Sequence, residues 1–266
     1  MVNIADLAIT SLENITAFDV VTGAYKFTLD ELQSATIAQS QDQTEITGKQ
    51  GRRLATLKRN KSITISGTNG ILSAGLLETQ VGGSFSSGTA KVYWTESLVV
   101  ESNAATTTYK AIGTAGAEII ELYVKNSDGT LGVEKTQDAT AAAGKFAYAP
   151  ATKALTFYSG EVADGTEIFV VYQRNITADV LKNESDKYSG KLHLVIDAIA
   201  EDRCANLYRV QIDIPKADFN GEFSIEFGDN QSVHAFEATS LAGACGGASL
   251  LFTYTVFGAN AADVNA

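Results

Sequence analysis

Leu207-Tyr208-Arg209-Val210-Gln211-Ile212-Asp213-Ile214-Pro215 alternates residue by residue, with Val210, Ile212 and Ile214 on one side and Arg209, Gln211 and Asp213 on the other. A period of two marks a strand with one buried face and one wet face, because a helix would scatter those three apolar residues around its axis. Glu222 to Phe227 repeats the pattern with Phe223, Ile225 and Phe227 inward, and Gly228-Asp229-Asn230 then turns the chain. His234 to Ala238 and Leu250 to Phe257 complete a C-terminal group of strands. The last of these is apolar enough to be expected buried on both faces.

The same grammar holds at the other end of the chain. A strand near Ile15 to Val21, a Thr22-Gly23 turn and a returning strand from Tyr25 to Leu29 predict a hairpin, and Ala35 to Ala38 predicts another strand. Gln39 to Gln50 is predominantly polar and reads as a loop, of a length that is usually functional or mobile. Ser62 to Ser66 alternates again through Ile63 and Ile65. One helix is expected over Ile71 to Thr79, with Leu72, Leu76 and Leu77 at helical spacing, Asn69 as N-cap and Gly82 as stop. Its place would be over the edge of a sheet or barrel.

Between Trp94 and Arg174 the composition shifts toward Ala, Thr and Gly, and a second set of short strands appears at Ile119 to Val124, Lys145 to Tyr148, Leu155 to Tyr158 and Ile168 to Tyr172. Turn clusters such as Asn126-Ser127-Asp128-Gly129 separate them, as in a small sandwich. The fold expected is mainly β: an antiparallel β-barrel or sandwich core with one flanking α-helix, plus an inserted small β-sandwich. The boundaries are 1–94 and 175–266 for the two parts of the core and 95–174 for the insertion. Only two Pro against many Thr, Val, Ile, Phe and Tyr support the β assignment.

A chain of 266 residues with 45% apolar content buries a core without metal or disulfide staples. No stretch approaches the roughly 20 apolar residues of a spanning helix, so no membrane role is expected. The opening MVNIADLAITSLENIT has acids where a secretory signal would have basic and apolar runs, which predicts synthesis and retention in the cytosol. Triplets such as Asn14 to Thr16 then carry no glycan. Cys204 and Cys245 lack metal-site spacing and are expected as two buried thiols, or as a single bridge in an oxidising setting.

The catalytic inventory is thin. His193 and His234 have no neighbouring Cys or paired carboxylate and read as surface or hydrogen-bonded strand histidines. Glu201-Asp202 and Asp30-Glu31 are coincidences among 31 acids, with a single Trp in the chain and no aromatic cluster to stack a sugar. Gly243 to Gly247 lacks the Lys of a phosphate loop and reads as a strand connection. No enzyme, cofactor or metal is expected.

Charge is the informative feature. Six of the 20 Lys and Arg fall between Lys49 and Lys61 with no acid among them, in a chain of net charge −11, so the remainder carries −17. The 48 residues before the patch hold seven acids against Lys26 alone. Two readings stay open: a solvated hairpin tip that keeps an exposed strand pair soluble, or a contact between copies. Leu54 and Leu57, apolar residues among the charges, favour the second. The acidic pI of 4.7 argues against sequence-specific nucleic-acid binding.

The stretch Ile46-Thr47-Gly48-Lys49-Gln50-Gly51-Arg52-Arg53-Leu54-Ala55-Thr56-Leu57-Lys58-Arg59-Asn60-Lys61, the following Ile63-Thr64-Ile65-Ser66-Gly67-Thr68-Asn69-Gly70 and the late run Val210 to Phe219 resemble the major tail, or tail tube, proteins of bacteriophages of Gram-positive bacteria. The resemblance covers the first 94 and last 92 residues. It implies a non-enzymatic virion subunit, six copies to a ring, rings stacked into a tube around a lumen for DNA, and assembly in the host cytoplasm. It further implies tape-measure and terminator proteins as partners and DNA only in transit. An acidic lumen suits that transit, since it is neutralisation of phosphates by Lys and Arg that creates tight binding. The polar loop with Lys49, Arg52, Arg53, Leu54, Leu57, Lys58, Arg59 and Lys61 would be the arm reaching the adjacent ring. A capsid decoration protein or the tube of a phage-derived bacteriocin fits the same residues.

Overall fold

The computed structural model describes residues 6–224, 233–241 and 249–258. In chain order the strands are β1 (Leu7–Asp19), β2 (Tyr25–Leu29), β3 (Leu32–Thr47), β4 (Arg53–Asn69), β5 (Ser86–Val99), β6 (Ala104–Thr106), β7 (Ile119–Lys125) and β8 (Leu131–Glu134). They continue as β9 (Thr136–Asp138), β10 (Lys145–Ala149), β11 (Ala154–Phe157), β12 (Glu167–Val180), β13 (Lys191–Asp202), β14 (Leu207–Phe219), β15 (His234–Ser240) and β16 (Thr253–Gly258). A single α-helix among the described residues, α1 (Ala74–Val81), lies between β4 and β5.

Two compact units divide these elements. One draws its described residues from Met1–Ser84 and Leu181–Ala266, the other is Phe85–Val180. The first unit is an eight-stranded sheet in the order β2-β1-β13-β14-β15-β4-β3, with β16 paired to β14 off this path. Its described pairings are antiparallel. Alternation decides which face is buried: Leu192, Leu194, Ile196, Ala198 and Ala200 of β13 pack with Val210, Ile212 and Ile214 of β14, Ile15 and Ala17 of β1, and Ile63 and Ile65 of β4. Along a flat sheet β1 and β3 would stand about 24 Å apart, five strand spacings. Their Cα atoms instead approach within 8 Å, so the sheet curls around its own core, although no ladder joins the two strands into a closed barrel.

The second unit is a sandwich of two four-stranded sheets, β6-β11-β10-β9 and β5-β12-β7-β8. Leu122, Ile168, Val170 and Tyr172 of one sheet share a core with Phe146, Tyr148, Leu155 and Phe157 of the other. Lys135, at the crossing from β8 to β9, is buried and ion-paired with Glu161, whose carboxylate also accepts the Gly144 N–H. That pair holds the Glu161 carboxyl below its usual range.

Helix α1 is fastened by a chain of buried polar groups. The Ser73 N–H donates to His234 Nδ1 at 3.3 Å, His234 Nε2–H donates to Gln80 Oε1 at 2.7 Å, and Gln80 Nε2 donates to Ala235 O at 3.0 Å. Because Nδ1 must accept, the imidazole is neutral; burial pushes His234 below its ordinary value in the same direction. Ser73 also caps the helix by accepting from the Leu76 N–H, and Leu76 enters the core.

Several sequence expectations are corrected. The N-cap is Ser73 and not Asn69, because Asn69 is held in the ladder opposite His234 and its amide donates to Ile71 O. The Gln39 to Gln50 loop is instead strand through Thr47, ended by a short 3₁₀ turn at Lys49–Gly51: its backbone groups pair with β4, which a polar sequence does not reveal. Glu222 to Ser224 is irregular, and the rest of that predicted strand lies outside the described residues. β16 is exposed or half-buried and not buried on both faces, because among the described residues only β14 pairs with it. Cys204 is exposed: it sits in the β13–β14 turn, where its N–H donates to Asp202. Cys245 and Gly243 to Gly247 lie outside the described residues.

Gly82 and Gly23 share a left-handed φ of 68°, but a Cβ on Gly82 would meet Tyr188 O at 2.0 Å while one on Gly23 meets nothing within 4 Å. In urea unfolding Gly23→Ala should cost only the backbone term of about 1–2 kcal/mol, and Gly82→Ala distinctly more. Protonated His234 would oppose its N–H to that of Ser73, so the folded state refuses a proton that the unfolded chain accepts below about pH 6.5. Stability should therefore be full above that pH and decline below it, and the decline should be smaller in His234→Asn even if that variant is weaker overall.

Candidate assembly surface

β3 and β4 begin as ordinary members of the sheet, with Ile37 opposite Ile65 and Gln39 opposite Ile63. Beyond Ser40 and Ser62 they leave the core as a two-stranded ribbon, and nearly every residue from Asp42 to Thr47 and from Arg52 to Lys61 is exposed. A register shift separates Ser40 from Asp42, with Asn60 at φ 51° and its amide donating to Asp42 Oδ2 at 2.8 Å. Such a bulge adds twist and re-aims the strands beyond it.

Register then assigns the side chains. Directly opposed residues share a face, so Asp42 with Arg59, Thr44 with Leu57 and Ile46 with Ala55 line one face, and Gln43 with Lys58 and Glu45 with Thr56 line the other. Ile46, Leu54 and Leu57 are 49%, 68% and 43% exposed, which makes the ribbon apolar as well as basic. Arg53 is the one base of the patch with an ion pair among the described residues, to Glu45 at 3.0 Å; it also donates to Thr56. Lys49 lies in the turn at the tip, Arg52 just after it, and Lys61 at the root. All eight residues singled out from the sequence therefore belong to one ribbon.

The remaining candidates have local explanations. His193 Nε2 meets Asp213 Oδ1 at 2.6 Å and its ring packs near Phe18, while His234 serves the helix network. Asp202 accepts from the side chain and backbone of Asn206, and from Cys204 and Tyr208, and thereby shapes its turn; these bonds, those from Asn206 foremost, hold its carboxyl below the usual range. Among the described residues no group of three or more His, Cys, Asp or Glu is placed to hold a metal ion. No helix among them is long and apolar enough to cross a membrane.

Sequence reasoning missed a groove of about 530 Å³ at the root of the same ribbon. Thr36 of β3, Ser66 and Thr68 of β4 and Glu237 of β15 line it together with Glu222 and Phe223. These residues come from distant parts of the chain, and the Glu222 to Phe227 alternation points to a strand there, so no local signal announces a groove.

No curated protein matches the chain. Residues 7–248, which take in the second unit and most of the first, match a family profile. The chain belongs to the YomU/Tube protein family, whose name is that of a tube-like structural protein.

Proposed function

We propose that this protein is the structural subunit of a phage tail tube, polymerising as stacked rings, six copies to a ring, around a lumen through which DNA passes. The observation that carries this reading is the ribbon. A two-stranded hairpin wet on both faces is marginal in water, and this one also exposes Ile46, Leu54 and Leu57. A neighbouring copy would cover those residues and give the unpaired bases acidic partners. Family membership supports the same assignment, as does the negative charge on the rest of the chain, which would let phosphate slide past without being held.

In this reading the protein works by assembly and not by catalysis. Tape-measure and terminator proteins are its proposed partners within the virion tail, and the host cytoplasm is where it assembles. The ribbon is the contact between rings, through Lys49, Arg52, Arg53, Leu54, Leu57, Lys58, Arg59 and Lys61. Reversing charge at Arg52, Arg53, Lys58 and Arg59 together should abolish polymers while leaving circular dichroism and the monomer's elution volume unchanged. Normal tubes from that variant in negative-stain images would remove the ribbon from its assigned role.

A further inference from the structure

The groove beside β15 has a composition opposite to that of the ribbon. Glu237 stands on β15 and Glu222 on the segment Asn220–Ser224, both exposed, with no ion pair to either among the described residues and no Lys or Arg among the residues that line the groove. Phe223 adds apolar surface to the same lining, and the hydroxyls of Thr36, Ser66 and Thr68 supply neutral hydrogen-bonding groups. A cavity of this size takes a few side chains and not a whole domain.

We propose that this groove is the socket for the ribbon of a second copy of the chain, a conclusion that rests on the tube-subunit reading and names the surface the ribbon engages. Charge complementarity selects the occupant: Arg59 and Lys58 are adjacent in sequence but point to opposite faces of the ribbon, and the two carboxylates come from two different elements. The face that carries Arg59 also carries Leu57, so docking it sets a base against the carboxylates and an apolar side chain against Phe223. A simple cation would satisfy the carboxylates but leave Phe223 wet.

The ribbon cannot fill its own socket. The groove sits at Ser66–Thr68 and the basic segment centres on Leu57, along one strand whose ladder with β3 is continuous apart from its register shifts. At the rise of a β-strand those positions lie about 30 Å apart. Docking is thus between copies, and the same distance, fixed by the strand, would set the step from one ring to the next.

The experiment uses the full chain. In a Cys204→Ser/Cys245→Ser background, Arg59→Cys and Glu237→Cys proteins are prepared separately, mixed under assembly conditions and treated with a short bis-maleimide. A crosslinked dimer should form in the mixture and in neither preparation alone. In parallel, Glu222→Lys/Glu237→Lys should raise the concentration needed for assembly about tenfold, and adding Lys58→Glu/Arg59→Glu to that variant should restore it. Tubes that form without the crosslink, or a swap that rescues nothing in variants shown folded by circular dichroism, overturn the socket and leave the tube reading standing. A crosslinked species that stops at a closed dimer supports the socket and overturns the tube. An unmodified chain that stays monomeric at high concentration overturns both.

Discussion

The backbone ladder between β3 and β4 is the constraint on which the rest depends. At its root Ile63 and Ile65 are fully buried, so the register of β4 is anchored by the core: a slip of one residue would turn both isoleucines into water. Farther out no burial holds the strands, yet the pairing continues to Arg53 and Thr47 because each residue added to an established ladder satisfies backbone groups already adjacent. The core thereby fixes the direction of a ribbon that makes no contact with it. What the ribbon presents, Ile46 and Leu57 on one face and Lys58 on the other, is set by that anchored register together with the shift beside Asn60.

How much of this was legible in the sequence follows from where burial leaves a trace. β14 announced itself through alternation, since one face packs against the core; the β1–β2 hairpin did so through a turn that needs Gly23 at positive φ. Gln39 to Thr47 did not, because a strand wet on both faces has no reason to alternate and its residues are chosen for solubility. β16 misled in the opposite sense: Tyr254, Val256 and Phe257 are apolar, but among the described residues the strand pairs only with β14 and is partly exposed. Cys204 misled for a related reason, since the tendency of free thiols to be buried says nothing about a residue caught in a tight turn by Asp202.

The candidate surface divides along the same line. The basic patch was visible because charge is a property of composition, and six bases within 13 positions remain six bases whatever the fold. Its division into two faces was not visible, because the register shift beside Asn60 moves every residue beyond it by one position relative to β3. The socket was hidden more deeply. Thr36, Ser66, Glu222 and Glu237 are neighbours only after β15 has paired with β4 and the Asn220 N–H has bonded to Glu237 O, a juxtaposition spread over some two hundred positions of the chain.

Electrostatics also bears on whether such a contact closes or propagates. Two copies could in principle exchange ribbons reciprocally, each filling the other's groove, but the ribbons would then lie side by side and bring two six-base segments together. At physiological ionic strength charges are screened over about 8 Å, so strands packed at a sheet spacing of about 4.8 Å would keep roughly half of their unscreened repulsion. Head-to-tail docking places successive basic segments about 30 Å apart, several screening lengths, while each meets carboxylates of the next copy. The like-charge term thus opposes the closed dimer and leaves the open series unopposed. A heterologous contact that repeats in one direction builds a filament or, with rotation about a common axis, a tube.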